Sequence, residues 1–118
     1  MKKMIAAVCF ISLVLGIAMP AFAFFDNGEI APGIFFDDVE VNNNGQVKGV
    51  VVNKTDQYIC LSASILFCDI FKKAVGDAYV SCLDVLPKGK AVFQTVLLNG
   101  SGKDAKHAHK IVWIVKRL

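Results

Sequence analysis

The side chains best suited to chemistry are cysteines, of which the chain has four: Cys9, Cys60, Cys68 and Cys82. If the chain reverses near residue 72, strand partners have numbers that add up to about 144, which puts Cys60 within a residue or two of Cys82. This predicts a Cys60–Cys82 disulfide and a free Cys68 in an oxidising compartment. Two alternatives stay open. Either Cys60, Cys68 and Cys82 are all buried, inert thiols, or Cys68 is a functional or intermolecularly bonded thiol. The sequence has no Cys-x-x-Cys motif, so a thioredoxin-like function is not expected.

A second candidate is the pair His107-x-His109, because residues two apart on a strand share a face and could bind one metal ion. All three methionines lie within the first 23 residues, so the rest of the chain has no thioether ligand for Cu(I). Solvated histidines at the start of the last strand are therefore the default interpretation. The alternative is a thiol- or metal-linked protein that uses Cys68, His107 and His109.

Other motifs do not meet the requirements of catalytic sites. The segment Gly100-Ser101-Gly102-Lys103 lacks both the first glycine of a phosphate-binding loop and the hydroxyl residue that follows its lysine. Its serine is flanked directly by glycines, which also differs from a nucleophile elbow, so we interpret it as a flexible hairpin loop. The acidic doublet Asp37-Asp38 would point to opposite faces of a strand and could not act as a catalytic pair. No catalytic residue, cofactor or enzymatic activity is therefore predicted.

The N-terminus has the features of a secretory signal peptide. Met1-Lys2-Lys3 precedes an apolar run from Met4 to Ile17 and then the segment Pro20-Ala21-Phe22-Ala23. A basic start, an apolar middle and a small-x-small end predict cleavage after Ala23 and a periplasmic or secreted bacterial protein. If it were not cleaved, the apolar stretch would approach the roughly 20 residues that span a bilayer. Pro20 and the lack of a basic stop-transfer cluster favour cleavage, which leaves no membrane span.

The chain that follows the signal peptide is a single domain of balanced charge. Its 95 residues carry 11 basic and 10 acidic side chains, because two of the 13 basic residues lie in the signal peptide. That balance gives no electrostatic argument for binding nucleic acid or anionic membrane. The predicted organisation is a signal peptide over 1–23, an irregular lead-in over 24–33 and a β-domain over 34–118.

Strand-forming residues dominate after Gly33, and turn residues interrupt them at short spacing. The predicted strands are Ile34–Val41, Val47–Val52, Tyr58–Asp69, Ala74–Val85, Lys90–Leu98 and His107–Arg117. No segment combines helical periodicity with a cap. Six or seven short strands predict an antiparallel β-sandwich, with an orthogonal barrel as the alternative.

Two of these strands indicate which faces are buried. In the strand Tyr58–Asp69 the odd positions from 59 to 67 are apolar and the even ones include serines, so we expect the odd positions to face the core. The last strand is apolar on both faces, which predicts either a strand covered on both sides or one that presents a face to a partner. In the second case Lys116 and Arg117 would be charged gatekeepers at its end.

Part of the domain resembles a known family. The residues that carry the similarity are Val47-x-Gly49-x-Val51-x-Asn53, Ile65-Leu66-Phe67-Cys68-Asp69, and Leu86-Pro87-Lys88-Gly89 followed by Phe93. This pattern, from about Gln46 to Leu98, is similar to the FxLYD domains, small immunoglobulin-like sandwiches found mostly in secreted or surface proteins of bacteria and archaea. The resemblance implies an immunoglobulin-like fold and brings no catalytic residues.

Three residues of this pattern also have a direct physical interpretation. A glycine in a strand, Gly49, indicates a bulge or a close approach of another chain segment. Asn53 can satisfy backbone groups in the turn that it opens, and Asp69 can do the same at the end of the long strand.

These observations predict a non-enzymatic binding or structural accessory module of the cell envelope. Its expected binding mode is pairing between the edge of its sheet and a strand of an envelope protein. A protein linked through a thiol or a metal is the second hypothesis, and an inhibitor of a secreted enzyme is the third.

Overall fold

The computed structural model describes residues 22–118 of the chain. The predicted signal peptide lies outside this range except for residues 22 and 23, and it stays a prediction. Within the range there are seven strands and one short helix. They are β1 (Phe22–Ala31), β2 (Ile34–Asn42), β3 (Gln46–Asn53), β4 (Ile59–Cys68), β5 (Ala74–Val85), β6 (Lys90–Gly100), α1 (Gly102–Ala105) and β7 (Lys110–Arg117).

The strands form one antiparallel sheet in the order β1-β2-β3-β6-β5-β4-β7, which confirms the all-β class. Strand β6 belongs to two ladders. Its first part, Lys90–Val96, pairs with β3, and its last part, Leu97–Gly100, pairs with β5. The sheet bends there, so that its first half (β1, β2, β3 and the start of β6) faces its second half (the end of β6, β5, β4 and β7). The result is nearly a barrel, with a hydrogen-bonded sheet that is continuous through β6.

The core lies between the two halves of the sheet. Both contribute fully buried side chains, including Val39, Val41 and Val51 from the first half and Leu61, Ile65 and Phe67 from the second. All five odd positions of β4 from Ile59 to Phe67 are buried, as the alternation predicted. Burial of these apolar side chains is the main favourable contribution to folding.

Strand boundaries predicted from the sequence agree closely with the structure after Gly33. The predicted Ala74–Val85 has the same bounds as β5, and the predicted Tyr58–Asp69 is one residue longer than β4 at each end. The corner before β6 is also present: Gly89 N–H donates to the Leu86 carbonyl at 3.0 Å, and Lys88 has a φ of 57°. Proline at 87 presets the turn geometry, because its ring fixes φ.

The predicted irregular lead-in over 24–33 is different in the structure, where it forms most of β1. This strand pairs with β2 along its length, from Phe22 opposite Asn42 to Ala31 opposite Ile34. Proline at 32 and glycine at 33, the latter with a φ of 80°, supply the tight turn between the two strands. The Pro32-Gly33 turn was the sequence signal for a hairpin between β1 and β2. The exposed Asp26-Asn27 segment nevertheless favoured a loop, because polar side chains next to a glycine are also typical of loops.

The segment 100–109 also differs from the prediction, since it contains a helix instead of a flexible loop. Ser101 caps α1 by accepting a hydrogen bond from the Asp104 backbone N–H at 3.1 Å. Serine followed three residues later by an acidic residue is a known capping pattern. Because of this helix the last strand begins at Lys110, and His107 lies in a turn, so the two histidines do not share a strand face.

A close approach between strands explains Gly49. A Cβ at this position would lie 2.8 Å from Val39 Cγ2 and 3.0 Å from Phe93 Cε2. Real Cβ atoms do not approach other atoms so closely, so β2 and β6 leave no room for a side chain at this point of β3. Among residues 22–118, no helix is long and apolar enough to cross a membrane.

Candidate functional site

The two edge strands of the sheet, β1 and β7, approach each other without pairing and border a groove of about 590 Å³. Residues 25–29 of β1 form one wall and residues 109–113 form the other. Each strand has only one hydrogen-bonded neighbour, so each presents one row of unpaired backbone groups. Such edges are ready to pair with another strand, and here two of them meet at one groove.

Aromatic side chains form the floor of this groove. The rings of Phe36 and Trp113 stack with centroids 5.8 Å apart, and the Phe93 ring meets Trp113 edge-on at 5.7 Å. The indole Nε1 of Trp113 is buried and has no hydrogen-bond partner, the only side-chain polar atom in residues 22–118 found in this state. Because a buried indole N–H normally has a partner, this unsatisfied donor is an unusual feature of a residue that lines the groove.

The two walls of the groove differ in charge. Asp26 and Glu29 lie exposed on the β1 side, and His109 and Lys110 lie exposed on the β7 side. Charged groups at an opening of this kind influence which partner binds more than how tightly it binds.

The direction of the strands limits how the groove could be filled. Each neighbouring pair in the sheet is antiparallel and the sheet has seven strands, so β1 and β7 run in the same direction. Direct pairing between them would be parallel. A further strand that pairs with the free edge of β1 or of β7 could run antiparallel to it, which is the slightly more stable type of pairing per residue.

Cys60 and Cys82 are neighbours across β4 and β5, although both are free thiols in the structure. Cys60 lies opposite Asp84, which is the predicted sum of 144, and Cys82 lies in an irregularity of the ladder. The two cysteines come within 3.9 Å of each other. The predicted disulfide is therefore absent, while the predicted proximity is present.

Cys68 and the two histidines do not form a comparable cluster. The Cys68 thiol is buried at the end of β4, and His107 and His109 are exposed. The backbones of Cys68 and His109 meet, because the His109 N–H donates to the Cys68 carbonyl at 2.8 Å. Within the described range no group of three or more histidine, cysteine or acidic residues could hold a metal ion. The geometry thus gives no specific support to the second hypothesis.

The polar residues of the family-like pattern organise turns. Asn53 is fully buried: its Oδ1 accepts from the Thr55 N–H at 2.9 Å, and its Nδ2 donates to the carbonyls of Gln57 and Leu86. Asp69 Oδ1 accepts from the N–H groups of Phe71 and Lys73, both at 2.9 Å. Both side chains replace water as partners of turn backbone groups, as the sequence suggested.

Tyr58 and Asp84 form a hydrogen bond next to the thiol pair, in which the phenol donates to the carboxylate. This bond, which a phenolate could not make, raises the pKa of Tyr58 to about 12. Since the pKa is raised, the contribution of the bond to stability is complete below pH ~10 and is lost as the pH rises towards about 12. In an absorbance titration we expect a late tyrosine transition that is missing in Tyr58→Phe and earlier in Asp84→Ala. A late transition that persists in Tyr58→Phe would contradict this assignment.

The groove and the position of Trp113 in it were not predicted from the sequence. The sequence shows that the last strand is apolar on both faces, but only the pairing order shows that β7 is an edge strand beside β1.

Comparison of the chain with protein-family models, with curated proteins and with solved structures finds no match.

Proposed function

We propose that this protein is a non-enzymatic binding or structural accessory module of the bacterial cell envelope that holds an extended segment of a partner protein in the groove between β1 and β7. The observation that carries the proposal is the meeting of two unpaired strand edges over an aromatic floor. An extended segment would add main-chain hydrogen bonds along an edge and place alternate side chains against Phe36 and Trp113. One acceptor of this segment would satisfy Trp113 Nε1.

Export to the periplasm or the cell exterior is part of this proposal. It is supported by the basic, apolar and small-x-small pattern of residues 1–23. A relationship of this domain to the immunoglobulin-like FxLYD family is also proposed. It is supported by the connectivity of β4, β5, β6 and β7, because β7 returns to lie beside β4 in Greek-key order.

Photo-cross-linking in envelope extracts tests the binding site. The photoreactive amino acid benzoylphenylalanine would replace Asp26 or Val112, which line the groove, in the full chain. The matched control is the same substitution at Val92, which is 73% exposed on β6 and lies outside the groove. We expect a specific cross-linked product at the two groove positions and none at Val92. Equal cross-linking at all three positions would contradict the proposed site.

A displayed peptide library tests the binding mode. Selected peptides should alternate apolar and polar residues, because only every second side chain of a strand faces the groove. Their binding should slow hydrogen exchange of backbone amides in β1 and β7 more than elsewhere. Peptides with helical periodicity, or protection confined to other strands, would exclude strand addition.

Replacement of Trp113 separates its two contributions. Trp113→Phe removes the unpartnered N–H and keeps an aromatic ring, so the free energy of unfolding should stay within about 1 kcal/mol of the unsubstituted chain. Trp113→Ala also removes the contacts with Phe36 and Phe93 and should cost about 3 kcal/mol. Urea unfolding measures both values. In the same Trp113→Phe variant the affinity for a selected peptide should fall about fivefold, and an unchanged affinity would show that the indole N–H does not bind it.

A further inference from the structure

A β-bulge brings Cys60 and Cys82 together. Leu61 lies opposite Leu83 and Ala63 opposite Val80, so Ser62 of β4 faces two residues of β5, Ser81 and Cys82. In a regular ladder Cys82 would pair with Ser62 and be only a diagonal neighbour of Cys60, at a Cα separation of about 7–8 Å. That separation exceeds the usual range for a disulfide, which ends near 6.8 Å. The bulge therefore alters the separation of Cys60 and Cys82 from that of a regular ladder.

Hydrogen bonds hold the bulge in this conformation. Cys82 has a φ of 50°, an uncommon value for a residue other than glycine. Its backbone N–H donates to Ser62 Oγ at 3.0 Å, and Ser62 is only 6% exposed. The Ser62 hydroxyl also lies 3.9 Å from Cys82 Sγ, where it can donate to the sulfur. Ser62 thus fixes both the backbone and the thiol of Cys82.

The two thiols have different environments. Cys82 is exposed, and hydrogen bonds from the Ser62 hydroxyl and the Cys60 thiol lower its pKa. Cys60 is half-buried, and its burial together with the neighbouring Cys82 raises its pKa. Of the two sulfurs, Cys82 is therefore the one with the lower pKa and the one that faces solvent, which is the combination expected of an attacking thiol.

We propose that Cys60 and Cys82 are a reactive thiol pair that closes to an intrachain disulfide by exchange with an external disulfide, with Cys82 as the attacking sulfur. The Cys82 thiolate attacks one sulfur of the external disulfide, forms a mixed disulfide and releases the other sulfur as a thiolate. The Cys60 thiol then loses its proton to solvent and attacks Cys82 Sγ, which releases the second external thiolate. Two electrons pass from the pair to the external disulfide, which is reduced to two thiols. Cys68 takes no part, because its thiol is buried and lies within 3.9 Å of the Leu66 carbonyl.

The first experiment identifies the bond. The reduced full chain is incubated with oxidised glutathione, blocked with iodoacetamide and digested with trypsin, which should yield Thr55–Lys72 linked to Ala74–Lys88. The first peptide contains both Cys60 and Cys68, so variants distinguish them. The linked product should persist in Cys68→Ala and disappear in Cys60→Ser. A link that depends on Cys68, or oxidation that gives only intermolecular dimers, would overturn the proposal.

The second experiment identifies the attacking sulfur. In Cys60→Ser the exchange should stop after the first step, so that a mixed disulfide between Cys82 and glutathione accumulates. In Cys82→Ser the remaining Cys60 should react at least tenfold more slowly, as mass spectrometry of timed samples would show. Faster glutathione addition in Cys82→Ser than in Cys60→Ser would reverse the assigned roles. Neither experiment involves the groove between β1 and β7, so failure here leaves the proposed binding function intact.

Discussion

Replacing Phe67 with alanine is expected to lower the free energy of unfolding by about 4 kcal/mol. The side chain is fully buried in β4, and its ring meets Phe25 of β1 at a centroid distance of 5.7 Å. Alanine would remove this apolar burial and leave a cavity between the two halves of the sheet. Urea unfolding followed by circular dichroism measures the loss.

An exposed phenylalanine of the same chain provides the control. Phe71 is 82% exposed in the turn after β4, so Phe71→Ala should change stability by less than about 0.5 kcal/mol. A double-mutant cycle between Phe25→Ala and Phe67→Ala should give a coupling energy of about 1 kcal/mol. Additive effects of these two substitutions would show that β1 does not pack against β4, and similar effects at Phe67 and Phe71 would contradict the described core.

The second large effect is expected at Asn53, where alanine should cost about 3 kcal/mol. Asn53 is fully buried and connects two turns, since its amide donates to the Gln57 carbonyl at 2.6 Å and to the Leu86 carbonyl at 3.2 Å. Its Oδ1 accepts from the Thr55 N–H on the other side. Alanine would remove all of these hydrogen bonds, each of which contributes about 0.5–1.5 kcal/mol, and it would leave the Thr55 N–H without its partner. Thermal or urea unfolding of the variant measures this effect.

Two variants test the explanation. Asn99 also donates through its amide, to Asp77 Oδ1 at 3.0 Å, but it is exposed, so Asn99→Ala should cost less than about 1 kcal/mol. Asn53→Asp keeps the side-chain oxygen that accepts from the Thr55 N–H. It replaces the donating amide nitrogen with a second oxygen, which faces the carbonyl oxygens of Gln57 and Leu86. It should therefore also be destabilised, and wild-type stability in Asn53→Asp would mean that the bonds to Gln57 and Leu86 contribute nothing.

The strands after Gly33 were predictable because local signals agreed with the final packing. The period-two alternation of β4 and the turns at 86–89 and 69–73 depend on residues that are adjacent in sequence. Strand β1 was not predicted, because an edge strand with exposed polar side chains resembles a loop. Its pairing depends on β2, which lies beyond the Pro32-Gly33 turn.

The candidate sites were predictable only in part. A count from the β4–β5 turn placed Cys60 opposite Asp84, but no local pattern marks the bulge that turns Cys82 towards Cys60. The groove depends on the order of all seven strands, which local sequence does not determine. Trp113 was visible as an apolar residue of the last strand, and its unpartnered Nε1 becomes apparent only when its surroundings are known.

The uninterrupted course of β6 through both ladders has a consequence for how the domain unfolds. Neither half could melt while the other persists unless β6 itself were broken in its middle, between the residues that pair with β3 and those that pair with β5. The domain therefore has no separable subdomain, and it should lose its structure in one cooperative transition. Fluorescence of Trp113, the only tryptophan of the chain, and far-ultraviolet circular dichroism should then report the same midpoint.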